Sequence, residues 1–375
     1  MKFTSNTKPL QDALNLAVVK SNVSKYYKKS GLAKVTADRH NLQINFEAAY
    51  VTSEIKVKGS GDEDSSESRF VDNVLLHDLI STFDSDITQI EFVPGGLVLY
   101  SGKSKFNVPQ SLEDADLDLM KPHEIDGSYP VVDLNKANWQ FIKDHQMFAI
   151  SMSFIHPVYT RLWLNSNNDV IVGDFDNSLF THSKKSTLNT DCLLSDTVIN
   201  LLTSVPEDTK LIKLDRSYLI SVNTDAYSYL AEVSLQSESD PDVGNYNADI
   251  ILGAFSVPEG QSTKFSKAPI LKLLSQSELL SKDANKTLEI SVNGSTMVIR
   301  DNDVNGSFAS TEPGSATYKV RLKTSDFKDI LSNLDEDIIS MAPTLQDDAT
   351  GVVGGVVFST SSMEAAVASV DDQPV

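Results

Sequence analysis

Three stretches of this chain end a helix in the same way. "DLISTFDSDI" begins at Asp78, "NLLTSVPEDT" at Asn200 and "DILSNLDEDI" at Asp329, and the three align almost position for position. The residues around them extend the match. Apolar side chains recur at i, i+3, i+4 and i+7 as Leu76, Leu79, Ile80, Phe83, then Val198, Leu201, Leu202, Val205, then Phe327, Ile330, Leu331, Leu334. That spacing lays one apolar stripe along a short helix and predicts that the stripe is buried. A residue of capping type stands upstream of each, Asp72, Ser195 and Thr324. A β-rich stretch with turn signals follows each. A chain that writes one helix ending three times has three copies of one unit to fold.

A second helix opens each copy. The candidates are "KPLQDALNLAVV" from Lys8, "NKANWQFIKDHQMFAI" from Asn135 and "KAPILKLLSQSELL" from Lys267. Each follows a short extended segment carrying an apolar residue, Phe3, Leu134 or Phe265. Hairpin-like strands lie between the two helices of each copy: "LQINFEAAYVTSEIKV", "TRLWLNSNNDVIVGD" and "LEISVNGSTMVIRD". The unit is strand, helix, strands, helix, strands, and each copy takes a third of the 375 residues. The expected class is α+β in three tandem domains, 1–125, 126–253 and 254–375. Their boundaries fall in the polar, Pro/Gly-containing connectors "KPHEIDGSYP" and "GAFSVPEGQS".

Composition narrows what such a chain can do. The net charge is −20, so most of the surface repels DNA and anionic membranes, and any nucleic-acid contact must come from a local basic patch. Such patches exist. Six lysines between Lys8 and Lys34 face one acid, Asp12, and five between Lys264 and Lys286 face Glu278 and Asp283. The middle copy offers Lys136, Lys143 and His145 beside Asp144. Negative charge gathers instead in "GDEDSSES" and "SLEDADLDLM", while the second helix of the first copy has no lysine.

Other chemistry finds little footing. Cys192 is the one cysteine, which excludes an intrachain disulfide and a multi-cysteine zinc site and points to a buried structural thiol. The histidines lack metal-ligand spacing, and no phosphate-binding or nucleophile motif occurs. The expectation is no catalytic residue, no metal, no cofactor and no enzyme. "DNDVNGSFASTE", Asp301 to Glu312, does satisfy the calcium-loop pattern. It lies between strand-like rather than helical stretches, so a hairpin connection is the expected reading. No apolar run reaches transmembrane or signal-peptide form, which implies a soluble cytoplasmic protein and no membrane partner.

The whole chain resembles the bacterial-type DNA polymerase sliding clamps, the beta subunit family of DNA polymerase III. "MKFT" followed by a helix ending near Val19 is similar to that family's start. "GGLVLYSGKSKFNVPQ" resembles its first-domain signature, and "DVIVGDFDNSLFTHS" occupies the place of its second-domain "A-T-D-x-x-R-L-A" segment. Ser178 replaces the arginine of that segment, Asp174-Phe175 its Thr-Asp, and the C-terminal "AAVASVDDQPV" is longer and more acidic than the usual ending. These departures fit a divergent member of phage or plasmid origin, working in the host cytoplasm.

The resemblance implies a DNA-clamp domain repeated three times, two helices packed on antiparallel sheet in each. It implies a head-to-tail homodimer whose six domains ring duplex DNA, bound without sequence preference, with a DNA polymerase and a clamp loader as partners. DNA contact is expected from Lys20, Lys25, Lys28, Lys29, Lys136, Lys143, Lys267, Lys272, Lys282 and Lys286. A partner cleft is expected from Tyr159, Asn177, Leu179, Val353, Val367, Ala368 and Val370. The dimer contact is expected to join Phe106 and Val108 to Leu279 and Leu280. The competing expectation is an acidic protein that mimics DNA and blocks a DNA-binding protein. It accounts for the net charge but not for lysine-rich first helices.

Overall fold

All three repeated helix endings form, and their stripes face inward. Eleven of the twelve stripe residues are buried, and Leu79 is half-buried. The computed structural model describes residues 1–17, 31–48, 51–62, 64–111, 119–125, 127–151, 157–165, 167–188, 192–214, 217–234, 246–280, 283, 286–344 and 354–370. Among the described residues the α-helices are α1 (Thr7–Ala17), α2 (Asn73–Ser81), α3 (Lys136–His145), α4 (Asp196–Ser204), α5 (Ala248–Gly253), α6 (Lys267–Leu280) and α7 (Thr324–Asn333). Pro9 and Pro269 both stand at the third position of their helix, where a missing N–H costs nothing. The strand before each of α1 and α6 buries a phenylalanine completely, Phe3 and Phe265.

The caps differ from expectation. Asp72 accepts from Leu75 N at 2.7 Å and caps α2 as predicted. Thr324 is the first residue inside α7, the capping position falls to Lys323, and no side chain bonds there. Ser195 is buried with its hydroxyl unpartnered among the described residues. Of the three, the exposed Asp72 alone is seen to cap its helix by a side-chain bond among the described residues.

The chain divides into two compact units, residues 1–136 with 196–240, and 137–195 with 241–375. The first holds a five-stranded sheet and an eight-stranded one. In the eight-stranded sheet, Tyr227–Ser234 of the middle copy pairs antiparallel with Val51–Lys58 of the first, from Tyr227↔Val57 to Val233↔Val51. The connector beyond residue 118 is strapped to this sheet by two carboxylates. Met120 N donates to Glu47 at 3.1 Å, and both the backbone N and Nδ1 of His123 lie on Glu232, at 3.0 and 2.7 Å.

The second unit repeats the arrangement with an eight-stranded sheet and a four-stranded one. Here Leu179–Ser183 of the middle copy pairs with Met363–Ala368 of the last, from Leu179↔Val367 to Ser183↔Met363. Phe327 of α7 packs on Phe358 from this sheet, ring centroids 5.5 Å apart. The architecture is α+β, three copies of a two-helix, antiparallel-sheet unit, with the middle copy contributing strands to both neighbours' sheets.

Candidate functional site

Several lysines assigned to DNA have other work. Lys136 donates from Nζ to Val205 O, and Lys267 donates to Leu334 O at 2.5 Å. His145, at the end of α3, holds Nδ1 2.6 Å from Asn333 O. The two lysines sit at the carbonyl ends of α4 and α7, where the helix dipole attracts positive charge. Lys286 is mostly buried and ion-paired with Asp301 at 2.9 Å and Asp303 at 2.8 Å. Lys136, Lys267 and Lys286 thus each have an internal partner for the ammonium group. Lys272 is exposed on α6, and Lys143 is half-buried on α3. Lys20, Lys25, Lys28, Lys29 and Lys282 lie outside the described residues.

α7 carries two acids, Asp326 and Asp329, and one lysine, Lys328. Burial raises the Asp326 carboxyl above its ordinary value; burial and then the neighbouring Asp326 and Glu278 do the same for Asp329. Lys328 is tied to Glu278.

The loop with the calcium pattern is a hairpin turn, as expected. It joins strands Thr296–Arg300 and Asn305–Ala309. Asp301 accepts from the backbone of Asp303 and Val304 at 2.6 and 2.7 Å and from Ser277 Oγ at 3.1 Å. The ammonium of Lys286 stands where the pattern would hold a cation, and Glu312 is turned to Lys264 at 3.1 Å.

Of the expected cleft residues, Leu179, Val367 and Ala368 fall on the seam of the second unit. Leu179 and Val367 are directly paired and buried. Ala368 N donates to Ser178 O at 3.2 Å. Asn177 donates to Asp174 at 2.7 Å and accepts from Lys323 Nζ at 3.4 Å. Val370 is half-buried and Val353 lies outside the described residues. Beside Val367 and Ala368 opens an apolar pocket of about 210 Å³, lined also by Phe180, Gly253, Ala254, Thr344, Gly354, Gly355 and Ala366.

Sequence reasoning missed those latter residues, although the small-residue runs Gly354-Gly355 and Ala365-Ala366 are their trace. A Cβ on Gly355 would stand 2.6 Å from Val367 O, so the pocket wall requires glycine there. Tyr159 is not in the lining. It packs in an aromatic cluster, 4.2 Å from Phe175 and 5.1 Å from Tyr246 between ring centroids.

Two residues along the same paired strands from Phe180 and Ala366 stands a charged group. His182 holds Nδ1 3.1 Å from Glu364 and Nε2 3.0 Å from Asp169. The bond to Glu364, opposed by burial and reinforced by Asp169, keeps the imidazole above its ordinary value.

The expected dimer residues divide. Val108 is buried and Phe106 stacks on Phe83 with centroids 5.3 Å apart, so both face their own domain. Leu279 and Leu280 are 85% and 65% exposed at the end of α6.

No helix among the described residues is long and apolar enough to cross a membrane. No profile of a known protein family matches the sequence, and no curated protein matches it either. Solved structures do match. A protein described as a DNA polymerase III beta subunit of Eubacterium rectale superposes with a TM-score of 0.73 at 13% identity, over 99% of this chain and 100% of that one. The DNA polymerase III beta subunit of Thermotoga maritima gives 0.71 at 15% identity, over 98% and 99%. The DNA polymerase sliding clamp of Bacillus subtilis gives 0.69 at 13%, over 99% of each. From end to end, the chain has the fold of the bacterial DNA polymerase III beta sliding clamps, in a divergent sequence.

Proposed function

We propose that the chain is a processivity factor, a non-enzymatic ring that encircles duplex DNA and tethers a DNA polymerase without reading sequence. The observation that carries this reading is the way the sheets end. Each eight-stranded sheet joins two copies through an antiparallel seam. The five-stranded sheet stops at Ser104–Pro109 and the four-stranded sheet at Asn305–Ala309, each without a further strand among the described residues. Open edges pair readily with another chain. Joining the first edge of one protomer to the second edge of its partner, twice, gives a closed two-fold dimer of six domains. Leu279 and Leu280 would be covered in that contact. The domain limits 1–125, 126–253 and 254–375 belong to the same proposal.

Within this reading the DNA-facing lysines reduce to Lys20, Lys25, Lys28, Lys29, Lys143, Lys272 and Lys282. Their contact with phosphate is weak and salt-sensitive, so retention on DNA rests on closure of the ring. The polymerase and the clamp loader present peptide segments to the apolar pocket beside Val367. A retention assay tests the whole: the protein, loaded by its loader on nicked circular DNA, stays bound through gel filtration and leaves when the circle is cut. Equal loss from circular and linear DNA would sink the ring, and binding to a nuclease with no DNA retention would favour the DNA mimic.

A further inference from the structure

The apolar pocket has a charged end, and its spacing is that of an extended peptide. Along the paired strands Leu179–Ser183 and Met363–Ala368, Phe180 stands opposite Ala366, and His182 opposite Glu364. Phe180 and Ala366 line the pocket. His182 and Glu364 are the next pair on the same face, one two-residue step of about 7 Å away. Any extended segment lying along these strands carries its own same-side residues at the same period.

Two carboxylates gather at that end, with Lys184 beside Asp169. Two carboxylates, Asp169 and Glu364, share one imidazole, so a charged His182 offsets only one of them. The second oxygen of Asp169 accepts from Asn165 at 2.8 Å, and the Asp169 side chain is 13% exposed. Glu364 is 39% exposed, and its Oε1 has no partner among the described residues. Lys184, the next residue on this face, is exposed and acts on Asp169. Phe255 packs against the His182 ring at 5.7 Å and closes the inner side. Glu364 is therefore the acceptor that an incoming chain meets.

The pocket volume of about 210 Å³ falls short of the roughly 300 Å³ at which small-molecule sites begin. It suits one large aliphatic side chain. We propose that Glu364, held in place by His182, sets the specificity of this pocket, whose occupant is an extended peptide segment with an aliphatic anchor and a lysine or arginine two residues away. The proposal rests on the reading of the pocket as a peptide site.

Two labelled decapeptides test it by fluorescence anisotropy at low salt. Both carry a central leucine, with lysine two positions to either side in one and glutamate at the same positions in the other. A third peptide replaces the leucine of the lysine peptide with serine. A half-exposed ion pair is worth about threefold in Kd, so the lysine peptide should bind about threefold more tightly than the glutamate peptide. Glu364→Gln should erase that ratio while the leucine-to-serine difference persists. An unchanged ratio in Glu364→Gln, or tighter binding of the glutamate peptide, overturns the assignment of Glu364. Loss of the leucine dependence in the unmodified protein overturns the pocket reading itself, and the proposal with it.

Discussion

Lys267 donates from Nζ to the main-chain carbonyl of Leu334 at 2.5 Å, a bond that Lys136 repeats with Val205 in the middle copy. In the first copy Gln11 takes the place of lysine, donating from Nε2 to Phe83 O and Ile80 O at 2.9 Å each. All three bonds satisfy a carbonyl left over where the second helix ends, and in every copy the donor comes from the first helix. Lys267→Met should cost about 2 kcal/mol, the net worth of a hydrogen bond from a charged donor. Urea denaturation followed by circular dichroism checks it. The loss should come with no change in DNA retention.

The lysines separate into two experimental classes. Replacing Lys25, Lys28 and Lys29 together by alanine should weaken DNA contact on every sequence alike and reduce the salt slope by up to about one per lost contact. Lys286→Met should leave that slope unchanged. It should instead destabilise the fold by about 3 kcal/mol, because Asp301, 6% exposed, loses its charge partner. A Lys286→Met protein of normal stability and altered salt slope would reverse the assignment.

Assembly should depend on the exposed pair at the end of α6. The unmodified protein should sediment as a dimer, and Leu279→Asp with Leu280→Asp should yield folded monomers at the same concentration. Phe106→Asp is a poorer probe, since the ring stacks on Phe83 and its loss should cost about 2 kcal/mol of domain stability. If the leucine double variant remains dimeric, the contact lies elsewhere.

His182 makes part of the stability pH-dependent. Its folded-state value is raised from the ordinary 6.5 by Glu364 and, against burial, by Asp169. A raised imidazole contributes stability that is fully present below 6.5 and is lost as pH rises through the folded-state value. The stability difference between the unmodified protein and His182→Gln should therefore be largest in mild acid and shrink toward alkaline pH. Parallel denaturation profiles across that range would remove the ion pairs from the account.

The repeat was legible because a buried helix face writes its period into consecutive residues, as Phe327, Ile330, Leu331 and Leu334 do. Hairpins such as Leu288 to Arg300 were legible for the same local reason. The fates of Lys136, Lys267 and Lys286 were not, because a lysine in sequence looks the same whether its ammonium meets phosphate, a distant carbonyl or an aspartate. The pocket was partly visible: Val367 and Ala368, which line it, came from the family resemblance. Its walls are made by small residues whose meaning depends on which strands lie beside them. Nothing local announces that Tyr227–Ser234 pairs with Val51–Lys58.

That last pairing sets a schedule for folding. Val57 cannot find its partner until synthesis has passed Tyr227, and the strand Leu179–Ser183 waits in the same way for Met363–Ala368. Until then each nascent copy carries a hydrophobic strand with a bare edge, held apart from its mate by more than a domain's length of chain. Contacts so distant in sequence form slowly, and unpaired edges are where growing chains aggregate. The cell that makes this protein must shield those two strands during translation, and a chain truncated before residue 227 should be found in the insoluble fraction.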